Sequence, residues 1–305
     1  MQTSPTCIPC ILSQVLATAR RVTPDEWLHR RVLVGAMELL QKGDFDRSPA
    51  EVVHEVLSGA LAVLGNPDPW AEVREASQKA ALALEAKARE AVRAAADPLL
   101  AAAKLSAAAN AWDAAVLGSL DPVALVERAL ERPFAIDEFE GLKEAVGSAG
   151  KVMVVLDNAG EVVFDRILIE QLAGRKVTCV ARRSPVYNDV TPASLAGFFG
   201  ADVEVIDAGV DGMGLPLSLC SREFRQRYAG SDLIIAKGPA NFETLEAAEG
   251  KAYFLFAVKC ARVAEHLRCA IGDLVLTKNC PKAVTQKAVK QATRVRLRKR
   301  PPEAS

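Results

Sequence analysis

The fold is decided by Lys151-Val-Met-Val-Val-Leu-Asp157-Asn158-Ala-Gly160-Glu161-Val-Val-Phe-Asp165. Val152 to Leu156 is a short, β-branched apolar run, the pattern of a strand buried on both faces. It stops at Asp157-Asn158, two side chains carrying oxygen. Gly160 permits a tight turn, and Glu161 to Glu170 places apolar residues at helical spacing. A strand that ends in a carboxylate and an amide and then turns into a helix puts both groups at the carboxyl edge of a sheet, where open α/β sheets bind their ligands. Taken alone, Asp157 or Asn158 reads equally well as a helix cap. That alternative loses ground because three later strands end the same way.

Downstream, further strands are expected at Val177–Ala181, Val203–Asp207, Leu233–Ala236 and Ala252–Phe256, with a possible edge strand at Leu274–Leu276. Helix-like segments at Val162–Leu172, Pro192–Phe199, Pro216–Tyr228 and Lys259–Leu267 separate most of them. The alternation implies a mostly parallel, doubly wound sheet. Upstream the texture is helical. Thr23-Pro24-Asp-Glu26 and Ser48-Pro49-Ala-Glu51 put a capping residue before proline with an acid following, and Asp68-Pro69, Asp97-Pro98 and Asp121-Pro122 repeat the signal. Ala-rich stretches run between them, with Asp137 as a start for one last short helix. The expected organisation is α/β: an all-helical domain over 1–147, a Rossmann-like three-layer α/β/α domain with a mostly parallel sheet over 148–281, and a basic tail over 282–305, read as a solvated or frayed terminus.

At 305 residues the chain can bury a sizeable core. Its 38 basic and 38 acidic residues balance, which removes any global argument for nucleic acid or an anionic membrane. No apolar run approaches a membrane span, and the first residues lack the basic and apolar regions of a signal peptide. Seven cysteines, an odd number, fit reduced thiols or metal ligands better than a disulfide framework, so a cytoplasmic protein is expected. Cys7-x-x-Cys10 lacks a second pair at zinc spacing and is taken as structural, with Cys179 in the core. Cys260 and Cys280 are the thiols placed to meet the pair in space. His29, His54 and His266 are assigned surface or packing roles.

Parallel strands gather their ends on one rim, so Asp157, Asn158, Asp189, Lys237 and Asn241 can converge there. Two carboxylates and an amide oxygen form a hard donor set that suits Mg²⁺ or Mn²⁺. A lysine opposite such an ion is a natural phosphate partner. Gly160 and Gly238 let backbone N–H groups approach an anion. The set indicates phosphate chemistry at a metal site.

Three motifs in order, Asp157-Asn-Ala-Gly-Glu161, Pro185-x-x-Asn188-Asp189-x-Thr191 and Lys237-Gly-x-x-Asn241-Phe-Glu243-Thr-Leu245, resemble the ARMT-like damage-control phosphatases, a family of metal-dependent phosphatases of sugar and metabolite phosphates. The likeness covers nearly the whole chain. It includes Cys7-Ile-Pro-Cys10-Ile-Leu-Ser-Gln14, which looks like the start of a shorter prokaryotic branch, and Asn110-Ala-Trp-Asp113. The resemblance implies Asp157, Asn158 and Asp189 as metal ligands for Mn²⁺, Co²⁺, Ni²⁺ or Mg²⁺. It also implies Lys237 as a phosphate contact, with Glu161, Gly238 and Asn241 beside it and Asn110 and Asp113 contributed by the helical half. Pro239-Ala240 and Ala109 depart from the usual pattern and bear on loop shape and substrate choice.

The expected activity is hydrolysis of phosphate monoesters of small metabolites, with no nucleic-acid or membrane partner and the oligomeric state open. Two other classes compete. A metal- or metabolite-binding module without turnover would use the same ligands. A small-molecule methyltransferase would need a glycine-rich loop after the first strand, which is missing. A haloacid-dehalogenase-type mechanism needs a second Asp at position 159, which is Ala.

Overall fold

The computed structural model describes residues 1–112, 122–248 and 252–279, so Asp113, Cys280 and the basic tail lie outside the described residues. Three helices come first: α1 (Cys7–Val22), α2 (Glu26–Lys42) and α3 (Pro49–Leu64). Cys7, Ile11, Val15 and Ala19 recur every fourth position along α1, and this stripe packs on Val32, Ala36 and Leu40 of α2 and Val52, Val56 and Ala60 of α3. The expected Ser48 cap closes a full capping box with Glu51. At Thr23-Pro24 the cap shifts to Asp25, whose carboxylate accepts from Trp27 N–H.

Next come α4 (Ala71–Ala94), α5 (Pro98–Ala109), α6 (Pro122–Glu131), β1 (Phe134–Asp137) and α7 (Phe139–Ser148). β1 corrects the expectation that everything before residue 148 is helical. The strand is four residues long and buries only Phe134, so it carries almost no period-2 signal. The Asp137 helix start becomes a strand end whose carboxylate accepts from Phe139 N–H.

The remaining elements alternate: β2 (Lys151–Val155), α8 (Val162–Glu170), β3 (Lys176–Ala181), β4 (Val203–Asp207), α9 (Arg222–Ala229), β5 (Leu233–Lys237), α10 (Pro239–Leu245), β6 (Ala252–Ala257), α11 (Ala261–Leu267) and β7 (Leu274–Lys278). The seven strands run in the order β1-β7-β6-β5-β2-β3-β4. All pairs are parallel except β6 with β7. β7 is therefore interior, because β1 covers it with Phe134 opposite Leu274. All four helices expected between strands are shorter than the sequence suggests, two of them by most of a turn or more. Pro192–Phe199 keeps only a 3₁₀ turn at Ala193–Leu195, and α9 waits until Ser221 supplies a cap to Phe224 N–H.

β2 shows why the sheet is filled on both faces. Val152, Val154 and Leu156 point into a core with α4, α5 and α8, while Met153 and Val155 point into another with Phe224, Phe242 and Val263. The mixed α/β class is as expected, but α4 and α5 share the sheet's core rather than forming one bundle with α1–α3. Among the described residues, no helix is long and apolar enough to cross a membrane.

Candidate active site at the carboxyl edge of the sheet

β2 continues to β3 on one side, and β5 continues to β6 on the other. The chain order reverses between β2 and β5, and a crevice opens there at the strands' carboxyl ends. Asp157 follows β2 and Lys237 ends β5. The segment leading to Asp189 returns to the same place. Val190 N–H donates to Asp157 O at 2.9 Å, Ala159 N–H to Asn188 O at 2.8 Å, and Asn158 bridges Asp189. Tyr187, just before, adopts φ +46°, the left-handed region that non-glycine residues rarely occupy.

Glu161 sits at the centre of a buried network. Its Oε2 accepts from Asn110 Nδ2 at 2.6 Å and Asn158 Nδ2 at 3.0 Å, and its Oε1 from Lys237 Nζ at 2.5 Å. Both amides also donate to Asp157 Oδ2, each at 3.0 Å. Since the NH₂ group of Asn158 is occupied in this way, its Oδ1 is the atom left for a ligand role. Asn110, the C-cap of α5, joins the site as the resemblance implied.

Gly238 allows the close approach. Its φ is +77°, and a Cβ there would lie 2.1 Å from Asp157 Oδ2. Gly160 gives room to α4, whose Ser77 carbonyl oxygen would meet a Cβ at 3.2 Å.

Lys237 lies deeper than its strand-end place suggested. It is 0% exposed, and its ammonium meets Glu161, Ser106 O at 3.1 Å and Asp165 Oδ1 at 3.3 Å. Three acceptors match its three donors. Asn241 is likewise internal: its Nδ2 donates to Leu156 O at 3.2 Å and Lys237 O at 2.6 Å, and its Oδ1 accepts from Arg182.

Sequence reasoning gave no role to Arg182, Asp165, Ser106 or Lys259. Arg182 follows β3. Its Nε donates to Asp189 Oδ2 at 2.6 Å, a second nitrogen stands 3.6 Å from Asp157, and a third donates to Gly214 O at 2.7 Å. Ser106 Oγ donates to Asp165 Oδ1 at 2.6 Å. Lys259, two residues past β6, is exposed, and its charge acts on Asp157. The strand-end rule marks both Arg182 and Lys259, whereas Asp165 and Ser106 lie within helices and carry no such signal.

Burial, then the charges of Asp189 and Glu161, push Asp157 up to about 8, against Lys259 and Arg182. Asp165 rises to about 7, chiefly through burial. For Lys237 burial opposes the charged form, but Asp165 and Glu161 outweigh it and hold the ammonium above its ordinary range.

The donor chemistry fits a hard divalent cation. Asp157, Asp189 and Glu161 crowd carboxylates into one buried place, and burial leaves the Asn110 and Asn188 Oδ1 atoms without a protein partner. Among the described residues no three His, Cys, Asp or Glu side chains group as a metal site. Glu161 Oε1 is taken by Lys237, so the cluster offers two aspartates and amide oxygens rather than three acidic ligands.

The model of the damage-control phosphatase ARMT1-like domain family matches residues 3–275. The chain belongs to this family. It is 31% identical over 285 residues to a damage-control phosphatase of Archaeoglobus fulgidus, covering 90% of this chain and 98% of that one. A damage-control phosphatase of Pyrococcus horikoshii is 32% identical over 281 residues, covering 90% and 96%. The crystal structure of a DUF89 family protein from Pyrococcus horikoshii superposes with a TM-score of 0.82 at 30% identity, over 92% of this chain and all of that one. The three motifs read from the sequence thus stand in an ARMT1-like fold, around one crevice.

Proposed function

We propose that this ARMT1-like chain hydrolyses phosphate monoesters of small metabolites, using a divalent cation held by Asp157, Asn158 and Asp189. The observation that carries the reading is the buried oxygen cluster at the switch point, where Asp157, Asp189 and Glu161 are drawn together with the Asn110 and Asn158 amides. A bound cation there would neutralise phosphoryl oxygens and make a coordinated water more acidic.

The chain's own residues position and compensate. Lys259, exposed beside Asp157, supplies positive charge toward the equatorial oxygens of the phosphoryl group as bonds to phosphorus rearrange. Arg182 fixes the Asp189 carboxylate, and the Lys237–Glu161 pair fixes the Asn110 and Asn158 amides. Gly238 keeps the space beside Asp157 clear.

Purified protein stripped with a chelator should lose hydrolysis of a phosphomonoester panel and regain it with Mn²⁺, Co²⁺, Ni²⁺ or Mg²⁺. Unchanged turnover after verified metal removal overturns the metal mechanism. Metal binding without turnover by any ester would instead mark a binding module. In calorimetric titrations Asp157→Ala and Asp189→Ala should each abolish metal binding, and Asn158→Ala should weaken it less, since a neutral amide contributes less charge. Wild-type affinity in both Asp variants would place the site elsewhere.

A further inference from the structure

Two clefts flank the crevice, and they differ in charge. One, of about 640 Å³, lies against α3 and the loops around Trp70 and Tyr187. Its charged lining is Asp68 and Asp211, and burial lowers the proton affinity of the His54 beside them. The other, of about 380 Å³, lies between the starts of α1 and α3 and the segments that follow β5 and β6. Its charged lining is Lys259, Arg262 and Glu243. Both are of a size that holds small molecules. A phosphate monoester arrives as an anion. In the larger cleft Asp68 is paired with Arg74, and the Asp211 carboxylate opposes the anion; in the smaller, Arg262 pairs with Glu265, and the Lys259 ammonium attracts it.

The smaller cleft borders the site through two of its wall residues. Lys259, whose charge acts on Asp157, is part of its wall, and so is Pro239, which follows Gly238. The larger meets the site through Val186 and Tyr187, on the loop leading to Asp189.

Much of the smaller cleft is apolar, with Ile11, Val53, Met213 and Ala240 in its walls and Ile271, 62% exposed, at its mouth. Several of its polar groups already have partners within the protein. Glu243 Oε2 accepts from Ala50 N–H at 2.9 Å, Gln14 bonds Tyr187 and Cys10, and Thr6 pairs with Ser4. A polyhydroxylated sugar entering here would find few partners for its hydroxyls beyond Lys259, a costly arrangement against apolar walls. An apolar group loses nothing by entering.

We propose that this cleft receives the leaving group, and that the substrates are phosphate monoesters with an aromatic or branched aliphatic leaving group rather than sugar phosphates. The inference rests on the phosphatase reading given above.

With full-length protein and Mn²⁺, kcat/KM for 2-naphthyl phosphate should exceed that for glucose 6-phosphate by about tenfold or more, mostly through KM. Ile271→Asn, which removes the apolar surface without adding charge, should raise KM for the naphthyl ester roughly fivefold while kcat and the glucose 6-phosphate constants hold. Ser58→Trp, in the larger cleft, should change neither. Thiol labelling gives a readout independent of turnover. Cys10 is exposed in the smaller cleft, and Cys269 is outside it. With Mn²⁺ present, 2-naphthylmethyl phosphonate should slow alkylation of Cys10, mapped by mass spectrometry, and leave Cys269 unchanged. Hydrolysis with sugar phosphates preferred, or with Cys10 unprotected, overturns this inference alone. A loss of naphthyl ester binding in Ser58→Trp moves the leaving group to the larger cleft and also overturns it. No hydrolysis of any ester overturns the phosphatase reading, and this one with it.

Discussion

Lys237 ends a buried strand, and a side chain at that place is expected to stand at the sheet's rim. Its ammonium instead lies fully buried between Glu161 and Asp165, closed off by the Ser106 carbonyl. Its charge therefore serves the carboxylates more directly than it serves a ligand. Lys237→Met leaves two buried carboxylates without their counter-charge, and removing one partner of such a group costs about 3–5 kcal/mol. The urea midpoint should fall accordingly; a variant as stable as wild type would show that the carboxylates do not depend on this ammonium. Lys259→Met makes the opposite case. The side chain is exposed, so stability should hold, while kcat should fall on the order of a hundredfold if the charge faces the phosphoryl group. Turnover within a few-fold of wild type would remove Lys259 from the reaction. Asp157 and Asn158 stand beside a strand end and were legible locally, whereas Asp189, eight residues past β3, stood out by its Asn-Asp pair and by the resemblance. The burial of Lys237 was not legible, since Ser106 lies 131 residues away in sequence.

β2 to β6 were found within a residue or two of their places, most of them by a continuous apolar run and β4 by its alternation of Val203 and Val205 with acids. What failed was short or half-exposed. β1 has one buried residue in four, and its absence made β7 look like an edge. α10, seven residues following Gly238, is too short for helical periodicity to register. Caps divided: Ser48 and Asp97 close the starts of α3 and α5, a local matter three residues long, whereas α4 starts after Trp70 with no side-chain cap and Asp68 pairs with Arg74 instead. At Ser48 the hydroxyl accepts from Glu51 N–H while the Glu51 carboxylate reaches back to Ser48 N–H. Ser48→Ala should cost about 1 kcal/mol, read from the unfolding midpoint. An unchanged midpoint would mean that the tertiary packing of α3 makes the capping box redundant.

At the scale of the molecule, a buried carboxyl group joins the α1–α3 core to the helix that follows β5. Glu243 of α10 accepts from the first turn of α3, at Ala50 N–H, and is 9% exposed. No sequence pattern could place it there, because its partner is 193 residues away. Burial, the largest influence, raises its pKa from 4.5 to about 7. The folded state therefore holds a proton at Glu243 between about pH 4.5 and pH 7, where the unfolded chain has released it. With more protons bound to the folded form, stability falls as pH rises through that window. The contribution is fully present below the unfolded pKa and lost by the time pH passes the folded one. A shift of this size corresponds to at most about 3 kcal/mol, with the Ala50 hydrogen bond acting against it. Glu243→Gln keeps the shape and an acceptor for Ala50 N–H but cannot ionise. In urea titrations of chelated protein at pH 5 and pH 7.5, wild type should lose more stability across the interval than the Gln variant. Equal losses would show that Glu243 titrates as an ordinary surface carboxylate, and that the contact between the two cores is open to water.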